Sequence, residues 1–309
     1  MNAQLKTSVV IPTFRRPDGL KRAIQSVLKQ EDVDWNAIEI VIVDNDPKRS
    51  AQSLVEGFQD SSNTIRYVHE PEPGVANARN TAIGSVTGSL IAFLDDDQSA
   101  PPFWLSQLFQ TYTAYKAAVT FGPVDTALPE DNLKHEDYLA DFFSRKGPET
   151  SGLIDDFYGC GNSMLDMSQM PNTRPLFDLR ANESGGEDDF LFSTLKARGK
   201  TFGWAADANV YEHVPENRAK LSYTLRRSFG YGQGPTTICA RKSPTDIPGV
   251  LFWMGVGFGQ TILYGSVSAM MFLVRSKHRA FWYDRTSQAL GKILWFKPFE
   301  QKFYGQHAI

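Results

Sequence analysis

Three consecutive carboxylates, Asp95-Asp96-Asp97, follow the apolar run Leu90-Ile91-Ala92-Phe93-Leu94, and a second acidic cluster, Gly185-Gly186-Glu187-Asp188-Asp189-Phe190, lies downstream. Like charges ~4 Å apart repel by roughly 4 kcal/mol at an effective dielectric of ~20. A chain that gathers three at the mouth of a buried strand is expected to meet a cation there. A helix cap or an Asx turn before Pro101-Pro102 explains one aspartate, not three. Hard oxygen ligands suit Mg²⁺ or Mn²⁺, with phosphate oxygens completing the shell. Glu187-Asp188-Asp189 would favour a helix N-terminus through the macrodipole. With two glycines allowing close ligand approach, the pair also offers a carboxylate for proton transfer. Cation and base together are what a transfer from a diphosphate leaving group requires.

Two further side chains have two readings each. His213, after Val210-Tyr211-Glu212, is either a structural histidine or a metal ligand or diphosphate contact. Arg79, in Gly74-Val75-Ala76-Asn77-Ala78-Arg79-Asn80, is either a solvated helix arginine or a guanidinium aimed at a nucleotide. The glycine strings Gly230-Tyr231-Gly232-Gln233-Gly234 and Gly255-Val256-Gly257-Phe258-Gly259 do not join a strand to a helix, as dinucleotide binding needs. Pro12-Thr13-Phe14-Arg15-Arg16 contains no glycine, which argues against a Rossmann dehydrogenase and a P-loop.

The elements that must position these residues alternate. Buried apolar runs predict strands over 7–12, 39–43, 65–69, 90–94 and 118–124. Amphipathic spacing and breakers predict helices over 18–30, 51–58, 74–83 and 102–115. Such alternation implies right-handed crossovers and a mostly parallel α/β sheet, Rossmann-like, flanked by helices. Ligands bind such sheets beyond the carboxyl ends of the strands, where Thr13, Asp44 and Asp95 fall. After residue 124 comes a polar excursion with a helix over 135–143, a strand after the turn at Gly159-Cys160-Gly161, a helix opened by Glu187, and short strands over 202–205 and 209–211. Soft boundaries are expected near residues 124 and 230.

The composition is globular, with 41% hydrophobic and 22% charged residues over 309 positions, enough for one large domain or two ordinary ones. Two cysteines, Cys160 and Cys239, make neither a disulfide framework nor a zinc cluster and fit a reducing compartment. The first apolar run is short and ends at Pro12, so no secretory leader is expected. From residue 218 onward thirteen Lys or Arg face three Asp or Glu, so this third carries +10 and the preceding residues −13 of the overall −3. A basic third on an acidic body predicts a polyanionic surface as partner. Residues 247–274 contain no charge, which favours anionic lipid over nucleic acid, for which no binding module is recognisable. As a helix these 28 residues would be ~42 Å long against a hydrocarbon core of ~30 Å. Pro248, five glycines and Gln260 dilute the segment, so a spanning, a re-entrant and a core helix all stay open.

Together these residues resemble the inverting glycosyltransferases of family two, with the GT-A fold. Val9-Val10-Ile11-Pro12-Thr13-Phe14-Arg15-Arg16 is similar to the family's opening strand and loop, and Val41-Ile42-Val43-Asp44-Asn45 to its nucleotide-base strand. Pro73-Gly74-Val75-Ala76-Asn77-Ala78-Arg79-Asn80 resembles the helix before the metal strand, Phe93-Leu94-Asp95-Asp96-Asp97 the DxD motif, and Gly186-Glu187-Asp188-Asp189-Phe190 the ED motif. The likeness covers roughly residues 6–230; Gln98 departs from the acidic or small residue of many members without disturbing the DxD spacing.

The resemblance implies that Thr13 and Asp44 hold the nucleobase, that Asp95 lies near the ribose, that Asp97 binds Mg²⁺ or Mn²⁺, and that Asp188, beside Glu187, is the base. His213, from its position, is the candidate for a further metal ligand. Pro12, Arg15, Arg79 and Asp96 complete the expected nucleotide-sugar site. The implied donor is a nucleoside-diphosphate sugar, a UDP-sugar foremost, and the acceptor is a hydroxyl of a glycan or lipid-linked saccharide. Residues 1–124 would form the donor half, 125–230 the acceptor-binding and catalytic half, and 231–309 a basic, apolar, membrane-associating helical tail. That tail is similar in style to those of enzymes that assemble bacterial exopolysaccharide units on lipid carriers. The expected location is the cytoplasmic face of the cell membrane, peripheral or anchored by 247–274, or otherwise the cytoplasm. The rivals are a nucleotidyltransferase of related fold, which would want a Gly-rich first loop, and a catalytically silent sugar-nucleotide-binding subunit, against which the intact Glu187-Asp188 pair speaks.

Overall fold

A computed structural model describes residues 6–59, 64–130 and 133–305. The chain alternates from its start: β1 (Thr7–Thr13), α1 (Pro17–Val27), β2 (Ile38–Asp44), α2 (Gln52–Gln59), β3 (Ile65–His69), α3 (Val75–Ser85), β4 (Leu90–Phe93), β5 (Gln98–Ser99) and α4 (Trp104–Tyr115). It continues with β6 (Val119–Phe121), β7 (Val124–Ala127), α5 (Glu136–Phe143), β8 (Gly152–Ile154), β9 (Ser163–Asp166), α6 (Glu187–Ala197), β10 (Phe202–Trp204) and β11 (Val210–His213). Three long helices follow: α7 (Leu221–Arg241), α8 (Ile247–Leu273) and α9 (Arg279–Ile293). Two compact units result, one of Met1–Ala127, Ser144–His213 and Tyr304–Ile309, the other of Leu128–Phe143 and Val214–Phe303. Residue 230 lies inside α7.

The first unit is built on an eight-stranded sheet of order β3-β2-β1-β4-β9-β6-β10-β8. β3, β2, β1 and β4 run parallel. β9 is antiparallel to both β4 and β6, and β8 is antiparallel to β10. Alternate strand residues point to opposite faces, and both faces are covered. Val9, Ile11, Ile40 and Ile42 pack with Leu20, Ile24 and Leu108 on one side. Val10, Val41 and Val43 pack with Ile83, Phe93 and Phe177 on the other. This is why these strands read as continuous apolar runs rather than alternating ones. α1 begins with Pro17, whose missing N–H costs nothing in a first helical turn, and buries Leu20, Ala23, Ile24 and Val27 on one face.

The sheet order sets the place of the site. From β1 the chain moves outward to β2 and β3, then crosses to the other flank of β1 through α3 and β4. Open α/β sheets bind ligands at such a reversal, which here lies beyond the carboxyl ends of β1 and β4. The expected strand over 118–124 is two strands of different sheets. Gly122 and Pro123 separate β6 from β7, and Pro123 has no N–H for a ladder. β7 joins a three-stranded sheet of order β5-β11-β7, in which Glu212 lies opposite Gln98 and Tyr211 opposite Ser99.

In the second unit α7 and α9 pack at backbone distance. A Cβ on Gly232 would lie 1.9 Å from the Gln288 carbonyl oxygen, and one on Gly291 2.1 Å from that of Phe229. Both glycine strings noted in the sequence are helical, the first within α7 and the second within α8.

Candidate active site

β1 delivers Thr13 directly opposite Asp44 of β2. β4 ends at Phe93, and Asp95, Asp96 and Asp97 lie in the turn beyond it. Asp96 is buried and points back at β1. Its Oδ2 accepts from Thr13 Oγ1 at 2.8 Å and from the Phe14 N–H at 3.4 Å. Arg16 Nη1 donates to Asp96 Oδ1 at 2.7 Å and to Asp97 Oδ2 at 2.9 Å. One guanidinium thus offsets the repulsion between two neighbouring carboxylates.

The second acidic cluster meets the first through Arg79. α3 is aimed by Gly74, at φ +147°, where a Cβ would lie 1.9 Å from the Asn182 amide nitrogen. Arg79 is buried, not solvated, and forms ion pairs with Glu187, with Asp188 Oδ2 at 3.4 Å and with Asp95 Oδ1 at 3.9 Å. Its guanidinium also stands over the Phe177 ring. α6 starts directly after Gly185 and Gly186, both left-handed at φ +82° and +85°, so that Glu187 and Asp188 occupy its first turn. Burial pushes the Glu187 carboxyl above the usual carboxylate range, against the pull of Arg79. Asp188 Oδ2 accepts from the Cys160 N–H at 2.8 Å, and its Oδ1 accepts from the Asp189 N–H at 3.0 Å.

Thr13, Asp95, Asp96, Asp97, Arg79, Glu187 and Asp188 therefore form one connected group. Asp44 stands beside it with both carboxylate oxygens engaged, by the Asp46 N–H at 3.1 Å, the Ala51 N–H at 2.9 Å and the Tyr67 hydroxyl at 3.0 Å. Arg15, at φ +57°, donates to Asp46 Oδ1 from Nε at 3.2 Å and from Nη2 at 3.1 Å. Pro12 lies opposite Val43 in the β1–β2 ladder. The His213 N–H donates to the Asp97 carbonyl at 2.8 Å, and its Nε2 pairs with Ser99 Oγ at 2.8 Å.

Two arginines belong to the site that the residue pattern did not single out. Arg16 was legible only as a neighbour of Thr13 in the first loop. Arg145, in the polar excursion, gives no sequence signal. Its Nη2 donates to the Gly159 carbonyl at 2.9 Å and its Nη1 to the Asn162 carbonyl at 3.2 Å. Burial lowers its pKa, while Asp95, Glu212 and Asp188 pull the other way.

A divalent cation fits this donor set in a particular way. Among the described residues no three His, Cys, Asp or Glu side chains converge as a ready cage. Asp97, with 16% of its side chain exposed, is pushed up to about 7 by burial; Arg16 opposes the shift and Asp96 and Asp95 add to it. Such a carboxylate gains from a cation shared with phosphate oxygens, the usual way a magnesium-type ion is held by one or two carboxylates. Asp97 would hold it, with Asp95 beside.

The profile of glycosyl transferase family 2 matches residues 8–168. The chain belongs to this family. The succinoglycan biosynthesis protein ExoM of Rhizobium meliloti is 32% identical over 243 residues, 78% of each chain. The GalNAc(5)-diNAcBac-PP-undecaprenol beta-1,3-glucosyltransferase of Campylobacter jejuni is 31% identical over 188 residues, 58% of this chain and 57% of that one. Among solved structures, S. aureus TarS residues 1–349 in complex with UDP align at a TM-score of 0.53 and 14% identity, over 93% of this chain and 90% of that one. GalNAc-T7 with UDP, GalNAc and Mn²⁺ aligns at 0.56 and 16% identity, over 76% of this chain and 51% of that one. The fold is GT-A, mixed α/β with a mostly parallel central sheet flanked by helices, and the protein is a glycosyltransferase.

Proposed function

We propose that this glycosyltransferase moves a sugar from a nucleoside-diphosphate donor, a UDP-sugar, to a hydroxyl of a glycan or lipid-linked saccharide, with inversion at the anomeric carbon. The observation that carries this reading is the Arg79 guanidinium, which ties Asp188 and Glu187 to Asp95 and so keeps a candidate base beside the diphosphate carboxylates. Residues 1–124 serve the donor, 125–230 the acceptor and the chemistry. Thr13, with Pro12 and Arg15 around it, lines the base end of the donor crevice. Asp44 fixes the loop after β2 through Asp46 and Ala51, and so shapes the base pocket as well as facing it. Asp96 orders the loop after β4 against Thr13 and Arg16.

Mg²⁺ or Mn²⁺ held through Asp97, with His213 as a further ligand, would supply charge neutralisation to the departing diphosphate. Asp188 takes the proton of the acceptor hydroxyl as its oxygen forms the new bond to the anomeric carbon. The bond to the diphosphate oxygen breaks on the opposite face. One displacement therefore inverts the centre, and general-base help of this kind contributes ~10²–10⁴-fold. Glu187, paired with Arg79, positions the helix turn that presents Asp188.

The relatives named for succinoglycan biosynthesis and for a diphosphoundecaprenol-linked acceptor support a role in exopolysaccharide assembly on a lipid carrier. α8 is long and apolar enough to cross a membrane, which supports residues 231–309 as a membrane-associating tail. The enzyme then works at the cytoplasmic face of the cell membrane, peripheral or anchored by 247–274. The test is a donor screen that reads released nucleoside diphosphate with a membrane lipid extract as acceptor. Release that depends on both donor and extract, vanishes in chelator and returns with Mn²⁺ or Mg²⁺ is the expected result. Full turnover of exhaustively chelated enzyme contradicts the metal assignment, and no release with any donor contradicts the reading.

A further inference from the structure

α8 carries no charged residue, and its surface divides lengthwise. Ile247, Leu251, Phe258, Ile262, Met270 and Leu273 are exposed and fall on one half of the helix by the period of 3.6 residues. Gly257 and Ser268 are buried on the other half. There a Cβ on Gly257 would lie 2.7 Å from Lys292 Cβ and 2.9 Å from the Ala289 carbonyl oxygen. Ser268 Oγ pairs with Thr286 Oγ1 at 2.9 Å, and the Tyr264 ring meets Trp282 at 6.0 Å. On the exposed half, Ser266 turns its hydroxyl back to the Ile262 carbonyl at 2.8 Å, so its donor is spent within the helix.

Two observations decide how such a helix meets lipid. The first is its partner. A span needs about 20 consecutive residues in the hydrocarbon core, and every such window of α8 contains Gly257 and Tyr264. Their partners on α9 bracket Asp284, Arg285 and Lys292. α9 in turn is fixed to α7: Ser287 Oγ donates to the Leu225 carbonyl at 2.7 Å, Thr236 Oγ1 to the Lys292 carbonyl at 2.9 Å, and Ser228 hydrogen-bonds Asp284. Taking α8 across a bilayer would carry these charges with it or tear α8 from its bundle. The second is charge at the ends. Arg241 and Lys242 precede α8, and Arg275, Lys277 and Arg279 follow it. Lys242 is partly neutralised by Asp246 at 2.7 Å, and Arg241 approaches Glu300 at 3.5 Å. A spanning helix concentrates its basic flank on one side of the membrane. Basic residues at both ends suit a helix whose two ends touch the same anionic surface.

Building on the membrane-contact reading above, we infer that α8 lies in the plane of an anionic membrane surface, its exposed half in the headgroup–acyl boundary, and does not cross the bilayer. α7 and α9 stay on the water side and hold α8 as a monotopic float.

The test uses the full chain with vesicles of phosphatidylcholine alone and of phosphatidylcholine with phosphatidylglycerol. Spin labels are placed singly through Leu251→Cys, Phe258→Cys, Ile262→Cys and Leu273→Cys, with the unsubstituted protein giving the background of buried Cys160 and Cys239. The expected result is flotation with the anionic vesicles that weakens with salt, and one shallow depth of about 5–10 Å for all four labels. Phe258→Glu, at an exposed position, should lower flotation about ten-fold, the loss of one buried phenyl. Flotation with depths that climb by about 1.5 Å per residue toward the bilayer centre keeps the contact reading and overturns the in-plane seating. Equal flotation with both vesicle types overturns the role given to the basic ends. Flotation with neither removes the contact reading and the inference with it.

Discussion

Arg79 decides how the acidic groups coexist. It is 7% exposed, and Glu187 beside it is 2% exposed. Removing one partner of a buried pair strands the other charge, which costs ~3–5 kcal/mol. Arg79→Met should therefore lower the unfolding free energy by about that amount, and adding Glu187→Gln should restore part of it. Denaturant unfolding of the three proteins checks this; an unchanged midpoint in Arg79→Met would remove Arg79 from its place as the hub. At this scale the sequence was partly legible. The two acidic clusters announced themselves because like charges rarely gather without a counter-charge. The counter-charge itself did not. Arg16 and Arg145 reach their carboxylates and carbonyls across loops far apart in the chain, and no local periodicity encodes such a meeting. Asp44 illustrates the converse, since a carboxylate at a strand end looks free in sequence and is held by Asp46, Ala51 and Tyr67 in the fold.

Among elements, β2 is stitched to its surroundings by Glu39. This carboxylate accepts from Ser8 Oγ at 2.6 Å, from the Thr87 N–H at 2.6 Å and hydroxyl at 2.9 Å, and from Arg66 Nη2 at 3.1 Å. Burial raises its pKa, but the hydrogen bonds from Ser8, Thr87 and Arg66 more than offset this and bring it down to about 2. A carboxyl lowered on folding stabilises the protein above its unfolded pKa of ~4.3, and that stability is lost as pH falls through the folded value. Glu39→Gln should cost on the order of 2–3 kcal/mol at pH 7, and the difference from the parent should shrink by about half or more at pH 3. Urea unfolding at the two pH values reads it directly, and a pH-independent difference would contradict the linkage. Elements of this parallel half were the most legible part of the chain, because strands buried on both faces must be apolar throughout. β5, β7 and β11 were not read as a sheet. Two to four residues are too few for a period, and Gly122-Pro123 hid a strand break inside one apolar run. That small sheet is what ties His213 to the Asp97 backbone.

At the scale of the whole molecule, an α/β unit and a basic helical unit share one chain. The charge asymmetry and the uncharged run of 247–274 gave the second unit its character in sequence. Which half of α8 is covered depends on glycines and hydroxyls facing α9, and these read in sequence only as dilution of an apolar segment. Catalysis is assigned to the first unit alone, at the first turn of α6. Its direct measurement is the steady-state kinetics of Asp188→Asn against the parent, with donor affinity determined separately by calorimetry. Asparagine retains the shape and an acceptor for the Cys160 N–H but cannot take a proton. Turnover should fall by ~10²-fold or more while donor affinity stays within a few-fold. A near-normal kcat in Asp188→Asn would contradict Asp188 as the base.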